Sequence, residues 1–317
     1  MLIDPLPFET QTAPMFDGRA SAIAFSCFRQ WRAVGAAGLI EPHAQRIEQI
    51  LVTDGRGPGA APGLMLGAAL RFDSAEIADR VEGEPLGYMV ENRHIRAGLA
   101  QAVGAAGIPV LAPARVADVV VDGPLVRAVL EDGRTVAAPL IVGSDGRNST
   151  VRRKARIEVV GWPYRQSGVV ATVALERPHH GVAHEHFLPS GPFAILPLTG
   201  DRASLVWTES ADRARALADA RPEVFHVHLQ RRFGEFLGRV RADGPRFVYP
   251  LALELAETMT APRIALLGDA AHGVHPIAGQ GLNLGLKDCA ALAETLVALM
   301  EIDALASGDD DHPTPIQ

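Results

Sequence analysis

The residues best suited to chemistry lie near the C-terminal end of the chain. Ile264-Ala-Leu-Leu267 is an apolar run of the kind buried in a parallel sheet, and it ends on Gly268-Asp269-Ala-Ala-His272. A carboxylate at the C-terminal end of such a strand stands where α/β sheets bind ligands, and it can accept hydrogen bonds from a polyol. Pro276-Ile-Ala-Gly279-Gln280-Gly281-Leu282-Asn283-Leu-Gly285 follows and closes on Asp288. Gly279, Gly281 and Gly285 carry no Cβ, so backbone there can approach a flat ring. The free N–H groups that open the next helix can hold developing negative charge, which suits the pyrimidine edge of a reduced flavin.

A second constellation is Gly143-Ser-Asp145-Gly146-Arg-Asn-Ser149, with Arg152 following. An apolar strand again ends in a carboxylate and a glycine, and the next turn offers N–H groups and a basic side chain to a pyrophosphate. Taken alone, an Asp-Gly pair is as much a plain turn as a site. Three smaller elements are Asp17-Gly-Arg19, Glu91-Asn92-Arg93 after Tyr88, and Tyr164-Arg-Gln166. Arg19 by itself reads as a solvated charge. His272 and His275 could relay protons, with a structural role equally open, and no general base stands out.

Two patterns are set aside. Gly55-Arg-Gly57-Pro-Gly-Ala60 fits GxGxxA, but Pro58 and Pro62 prevent the ordered helix start a dinucleotide site needs, so it reads as a surface loop. His179, His180, His184, Glu185 and His186 invite a metal reading. Strand alternation puts His184 and His186 on one face and Glu185 on the other, and no second ligand cluster accompanies them, so no metal is expected.

The elements that must position these residues are those of an α/β protein. Periodicity predicts a loop and then a helix over 17–34, a strand over 47–52, a loop over 55–67, and a strand end running into a helix over 88–103. β-branched strands follow over 110–121 and 125–130, joined by Asp122-Gly123, and the turn Asp132-Gly133 leads to the apolar strand 140–143. From Ser167 the texture becomes alternating strands over 169–175, 184–188, 193–198 and 203–208, an antiparallel sheet inserted into the α/β part. Helices are predicted over 211–238 and 282–300, and the acidic end of the chain reads as a disordered tail.

The 317 residues are 48% hydrophobic and 21% charged, enough apolar material for a buried core. The net charge of -7, with no long Lys/Arg run, argues against nucleic acid as a partner. Two separated cysteines, Cys27 and Cys289, suggest neither a disulfide framework nor a thiolate metal site and fit a reducing cytoplasm. No run of 18 uncharged apolar residues occurs.

In its Gly268–Asp288 and Asp145-Gly146 motifs the sequence resembles the FAD-dependent aromatic hydroxylases, most closely the ubiquinone-biosynthesis hydroxylase family. The resemblance implies that Asp269 contacts the flavin ribitol, that Gly268, Gly279, Gln280, Gly281, Leu282 and Asn283 border the isoalloxazine ring, and that Pro276 is its facing wall. Asp145 and Gly146 would touch the diphosphate side, Arg19 the phosphates, and Asn92 would lie nearby. It implies NAD(P)H as co-substrate, addition of O2 at flavin C4a, and transfer of one oxygen to an electron-rich ring, a prenylated phenol. The chain would be cytoplasmic, peripheral at the inner face of the membrane or beside other pathway enzymes. The expected layout is a discontinuous FAD-binding domain (1–165 and 256–306), a substrate domain (166–255) and a tail (307–317). Members of the family begin earlier, with a strand and a GxGxxG turn; Leu2-Ile3-Asp4 matches the end of their second strand, whose acid meets the adenosine ribose. A chain trimmed at both ends is therefore expected. The alternatives are a non-catalytic fragment unable to hold FAD, or a related flavin-dependent reductase.

Overall fold

The computed structural model describes residues 1–13, 18–54, 69–77 and 83–307. The loop expected over 55–67, including the GxGxxA pattern, lies outside the described residues, as do Asp17 and the tail beyond Ser307.

The chain opens on β1 (Leu2–Ile3) and a one-turn helix, α1 (Phe8–Gln11). Next come β2 (Ala20–Ala24), α2 (Phe25–Ala33), α3 (Ala37–Ile40) and β3 (Ala44–Ile47). The loop and then helix expected over 17–34 is corrected in its first part: the helix is present at Phe25–Ala33, and a strand precedes it. Ala20–Ala24 is extended because it pairs antiparallel with β6 (Gly87–Glu91), and β3 pairs on the other edge of β6. Ile23 fits both periods, and the backbone partner decides between them. Cys27, Phe28 and Trp31 of α2 pack with Tyr88 and Val90 of β6, and α4 (Asn92–Ala105) closes that core through Ile95.

Before β6 the chain makes β4 (Gln49–Asp54) and β5 (Ala69–Asp73), a pair that joins a distant sheet. After α4 come β7 (Val110–Leu111) and the meander β8 (Val116–Asp122), β9 (Leu125–Leu130) and β10 (Thr135–Ala138), turned at Gly123 and Gly133 with φ of 61° and 85°. Left-handed backbone at these two turns is why glycine stands there. β11 (Ile141–Gly143) and α5 (Thr150–Lys154) follow.

The large sheet draws on β12 (Val159–Leu175), β13 (Val182–Leu188), β14 (Gly191–Leu198), β15 (Arg202–Ser210) and β16 (Val240–Ala256). The antiparallel strands expected from Ser167 form its centre, in the order β12-β15-β14-β13. β4 adds to β13 in parallel, so the sheet also takes β4 and β5 from the first half of the chain. α6 (Ala211–Asp219) and α7 (Pro222–Phe233) cover one face, where Phe193, Trp207, Leu205, Phe225, Leu229 and Phe233 form the core. The opposite face carries Glu185, Ala194 and Val206, aligned across three strands by the pairings Glu185 with Ala194 and Ala194 with Val206.

The chain then returns through β17 (Thr260–Ala261), β18 (Ile264–Leu266) and β19 (His272–Gly273) to the long helix α8 (Gln280–Ser307). The parallel part is split. β1 pairs with β7, β11 pairs with β18, and no described strand joins the two pairs. Leu2 and Val142 are accordingly 41% and 40% exposed, high for strands of a parallel sheet. The fold is mixed α/β: two separate parallel strand pairs with an inserted, mainly antiparallel sheet.

Candidate active site

Parallel pairing of β11 with β18 sets two strand ends side by side, Gly143 against Leu266. Both acidic turns therefore emerge together. Asp269 is exposed in the 3-10 turn Gly268–Ala270, and its Oδ2 accepts from Arg147 Nε at 3.3 Å. Beneath it Arg152, only 7% exposed, donates to Ala270 O at 2.7 Å and to Arg147 O at 2.6 Å. Its guanidinium thus braces the two turns instead of reaching toward a pyrophosphate, which corrects that expectation. Asp145 serves the same loop: it accepts from Ser149 Oγ (2.5 Å), Thr150 N (2.6 Å) and Val151 N (3.2 Å), satisfying N–H groups at the start of α5. Gly146 makes the turn between them with φ of 80°.

The glycine-rich loop is held from three sides. Gly268 adopts φ of 56°, and a Cβ placed on Gly285 would lie 3.2 Å from Gly268 Cα, so the start of α8 rests backbone on backbone against the Asp269 turn. Asp288 Oδ2 accepts from Gly268 N at 2.9 Å and lies 2.6 Å from His272 Nε2, which gives His272 a partner within this scaffold. Asn283 is 1% exposed; its Oδ1 accepts from Ala24 N (2.8 Å) and its Nδ2 donates to Ala22 O (2.8 Å) and Gly279 O (3.0 Å). The amide is occupied by β2 and the loop, so the Asn283 side chain positions the helix start. Gly279, with φ of 61°, packs against Ala22, while a Cβ on Gly281 would meet nothing within 4 Å. The first N–H groups of α8, at Gln280, Gly281 and Leu282, thus open a 28-residue helix beside an exposed carboxylate.

These residues fit a flavin: a glycine pair admits backbone to a flat ring, a helix N-terminus can face an anionic edge, and Asp269, exposed and paired with Arg147 through Oδ2, can accept from ribitol hydroxyls. Two further expected residues converge on β2. Asn92 Oδ1 accepts from Ser21 Oγ at 2.8 Å, and Asn92 N donates to the carbonyl of Arg19, whose side chain is exposed. Asp4 lies just beyond β1, where its side chain accepts from Leu6 N at 2.8 Å and its carbonyl from Ala114 N at 2.7 Å.

Pro276 lines a small, shallow recess between the loop and the large sheet, together with His275, Ile277, Glu185, Ala194 and Thr208. Glu185 and Thr208 are site residues that the motifs did not reveal; strand alternation, which set Glu185 opposite the two histidines, was the available signal. Burial pushes the Glu185 carboxyl up to about 7. Behind it, His184 and His186 face the core, their rings 6.0 Å apart, with His186 Nδ1 2.6 Å from Thr53 Oγ1. Burial, then the neighbouring His186, brings His184 down to about 4. Among the described residues no group of three His, Cys, Asp or Glu is placed to hold a metal.

The model of the FAD binding domain family matches residues 18–308. The ubiquinone hydroxylase UbiL of Rhodospirillum rubrum is 46% identical over 303 residues, covering 95% of this chain and 67% of that protein. The 3-demethoxyubiquinol 3-hydroxylase of Escherichia coli is 37% identical over 229 residues, 71% of this chain and 57% of that protein. The chain thus spans between about half and two thirds of the length of such relatives. Among solved structures, Pseudomonas aeruginosa PqsL in complex with 2-aminobenzoylacetate superposes with a TM-score of 0.73 at 25% identity, over 96% of this chain and 82% of that one. With its acidic turns, glycine-rich helix start and roofing sheet, the chain belongs to the FAD binding domain family, among the FAD-dependent hydroxylases of ubiquinone biosynthesis.

Proposed function

We propose that the chain is the flavin- and substrate-binding body of a monooxygenase that hydroxylates the ring of a prenylated phenol in ubiquinone biosynthesis, using NAD(P)H and O2. The observation that carries this reading is the recess itself. It lies between the sheet face bearing Glu185 and Thr208 and the loop bearing Pro276, which leads directly into the N-terminus of α8. Asp269, Gly268, Gly279, Gln280, Gly281 and Leu282 would hold FAD; Asn283, Asp145 and Arg152 keep their turns in place. The chemistry FAD supplies when bound is acceptance of hydride from NAD(P)H and activation of O2. The chain's own work is to hold the phenol against the loop, keep water out through the apolar wall of Pro192, Ala194 and Val206, and aim helix N–H groups at negative charge.

Purified protein supplied with FAD, a short-chain prenylated phenol and either NADH or NADPH tests the reading. The expected product carries one added oxygen, drawn from labelled O2, and one of the two nucleotides is preferred. Nucleotide oxidation that yields only peroxide, at any phenol concentration, would contradict it. Peripheral membrane attachment belongs to the same proposal and is read by flotation with anionic vesicles; no described helix is long and apolar enough to cross a membrane.

A further inference from the structure

Tyr164, Arg165 and Gln166 sit at a break in the large sheet. β12 pairs with β16 as Pro163 with Ala252 and again as Ser167 with Pro250, so these three residues stand opposite Leu251 alone. Arg165 holds a φ of 57°, in the left-handed region. Among the described residues Arg156, His180 and Arg263 share that backbone, but they lie in turns, whereas Arg165 is inside a strand. A bulge bends its strand and re-aims a side chain, and backbone strain persists where the surroundings impose it. Here the surroundings are fixed. Gln166 pairs with Ser210 of β15, and its Nε2 donates to Ser190 O at 2.9 Å. Ser190 Oγ accepts in turn from Arg232 of α7 at 3.3 Å, and Arg232 pairs with Glu209, which is 1% exposed.

The side chain that the bulge re-aims is Tyr164. Its ring meets His275 edge on, with centroids 5.3 Å apart and planes at 75°, an arrangement that aromatic rings favour. His275 opens the turn that carries Pro276. Its Nδ1 accepts from Ile277 N at 3.3 Å, Gly279 N donates to Pro276 O at 3.0 Å, and α8 begins at the next residue, Gln280. Burial lowers the pKa of His275, so its ring is neutral at physiological pH and Nδ1 is free to accept.

We propose that Tyr164 is a positioning residue for the loop that leads into α8: held on His275 by the bulge at Arg165, its ring fixes the turn 275–279, and with it the placing of Pro276 and of the first N–H groups of the helix. The inference rests on the flavin reading above. Tyr164 acts through His275 and not on the cofactor or the substrate. Its ring is what matters, not its hydroxyl, and the backbone of Arg165 holds that ring independently of the guanidinium charge.

The test compares wild type with Tyr164→Phe, Tyr164→Leu and Arg165→Val, each first checked for a wild-type circular dichroism spectrum. Amide exchange over residues 275–281 is measured in the FAD-free proteins, and FAD is titrated into each with flavin fluorescence as the signal. Tyr164→Leu should speed exchange at Ile277 and Gly279 about ten-fold and weaken FAD binding about ten-fold. Tyr164→Phe keeps the ring and should match wild type in both. Arg165→Val, whose branched side chain disfavours left-handed backbone, should behave as Tyr164→Leu does although it lies outside the ring contact. Wild-type exchange in Tyr164→Leu would overturn the proposal, as would equal losses in Tyr164→Phe and Tyr164→Leu, or full FAD affinity in Tyr164→Leu. A folded Arg165→Val that matches wild type would overturn the part given to the bulge; should that variant not fold, the two Tyr164 variants decide. A wild type that takes up no FAD, with exchange in the expected order, counts against the flavin reading alone.

Discussion

Glu185 and His184 are neighbours in sequence that face opposite media, one the recess and one the core, and their protonation works in opposite directions. The Glu185 carboxyl rises from 4.5 to about 7, so the folded state holds the extra proton and stability falls as pH climbs through that window. His184 drops from 6.5 to about 4, so stability present above 6.5 is lost as pH falls toward 4. Each is worth on the order of 3 kcal/mol, and between 4.5 and 6.5 the two slopes cancel. Glu185→Gln should therefore raise stability at about pH 8 and uncover the histidine slope below about pH 6.5, read as urea midpoints across pH. Equal midpoints for variant and wild type at about pH 8 would refute this. Asn283 is the other residue with a large expected effect. Asn283→Leu strands the N–H of Ala24 and the carbonyls of Ala22 and Gly279, at about 1–3 kcal/mol for each buried group left without a partner, and should lower Tm correspondingly.

Among the elements, the contact between α8 and the Asp269 turn is the most exacting, because two glycines meet there without side chains. Gly285→Val would push the helix start away from Gly268, a strain of about 1–3 kcal/mol, and FAD retention should drop more than thermal stability does. A variant that keeps wild-type flavin content through gel filtration would show that the close approach is dispensable. Arg152→Met removes two hydrogen bonds that tie the turns after β11 and β18. It should cost about 1.5–3 kcal/mol for each charged bond lost and loosen the Arg147–Asp269 pair, seen as faster amide exchange across Gly268–Ala270. Both turns were legible in the sequence because an apolar strand ending in Asp and Gly is a local signal. What joins them was not. Arg152 reads as a phosphate ligand until its reach to Ala270, 118 residues away, is seen, and Asn283 reads as a cofactor residue until its bonds to β2, about 260 residues away, are seen. The same holds for β2, whose strand state depends on β6.

At the scale of the whole molecule, alternation in the sequence placed the four central antiparallel strands, while the recruitment of β4 and β5 beside β13 follows from long-range pairing that no local pattern encodes. The parallel part is present as two separate pairs, β1 with β7 and β11 with β18, and the Asp269 face is built entirely on the second. In the proposed reading FAD is held by Asp269, the helix start of α8 and the recess roof. The measurement that tests this most directly is FAD titration of the purified wild-type protein and of Asp269→Ala, followed by flavin fluorescence, with circular dichroism to confirm that both are folded. Saturable binding by the wild type and at least about ten-fold weaker binding by the variant is the expected result. Equal affinity of the two proteins, or a folded wild type that takes up no FAD, would contradict the account.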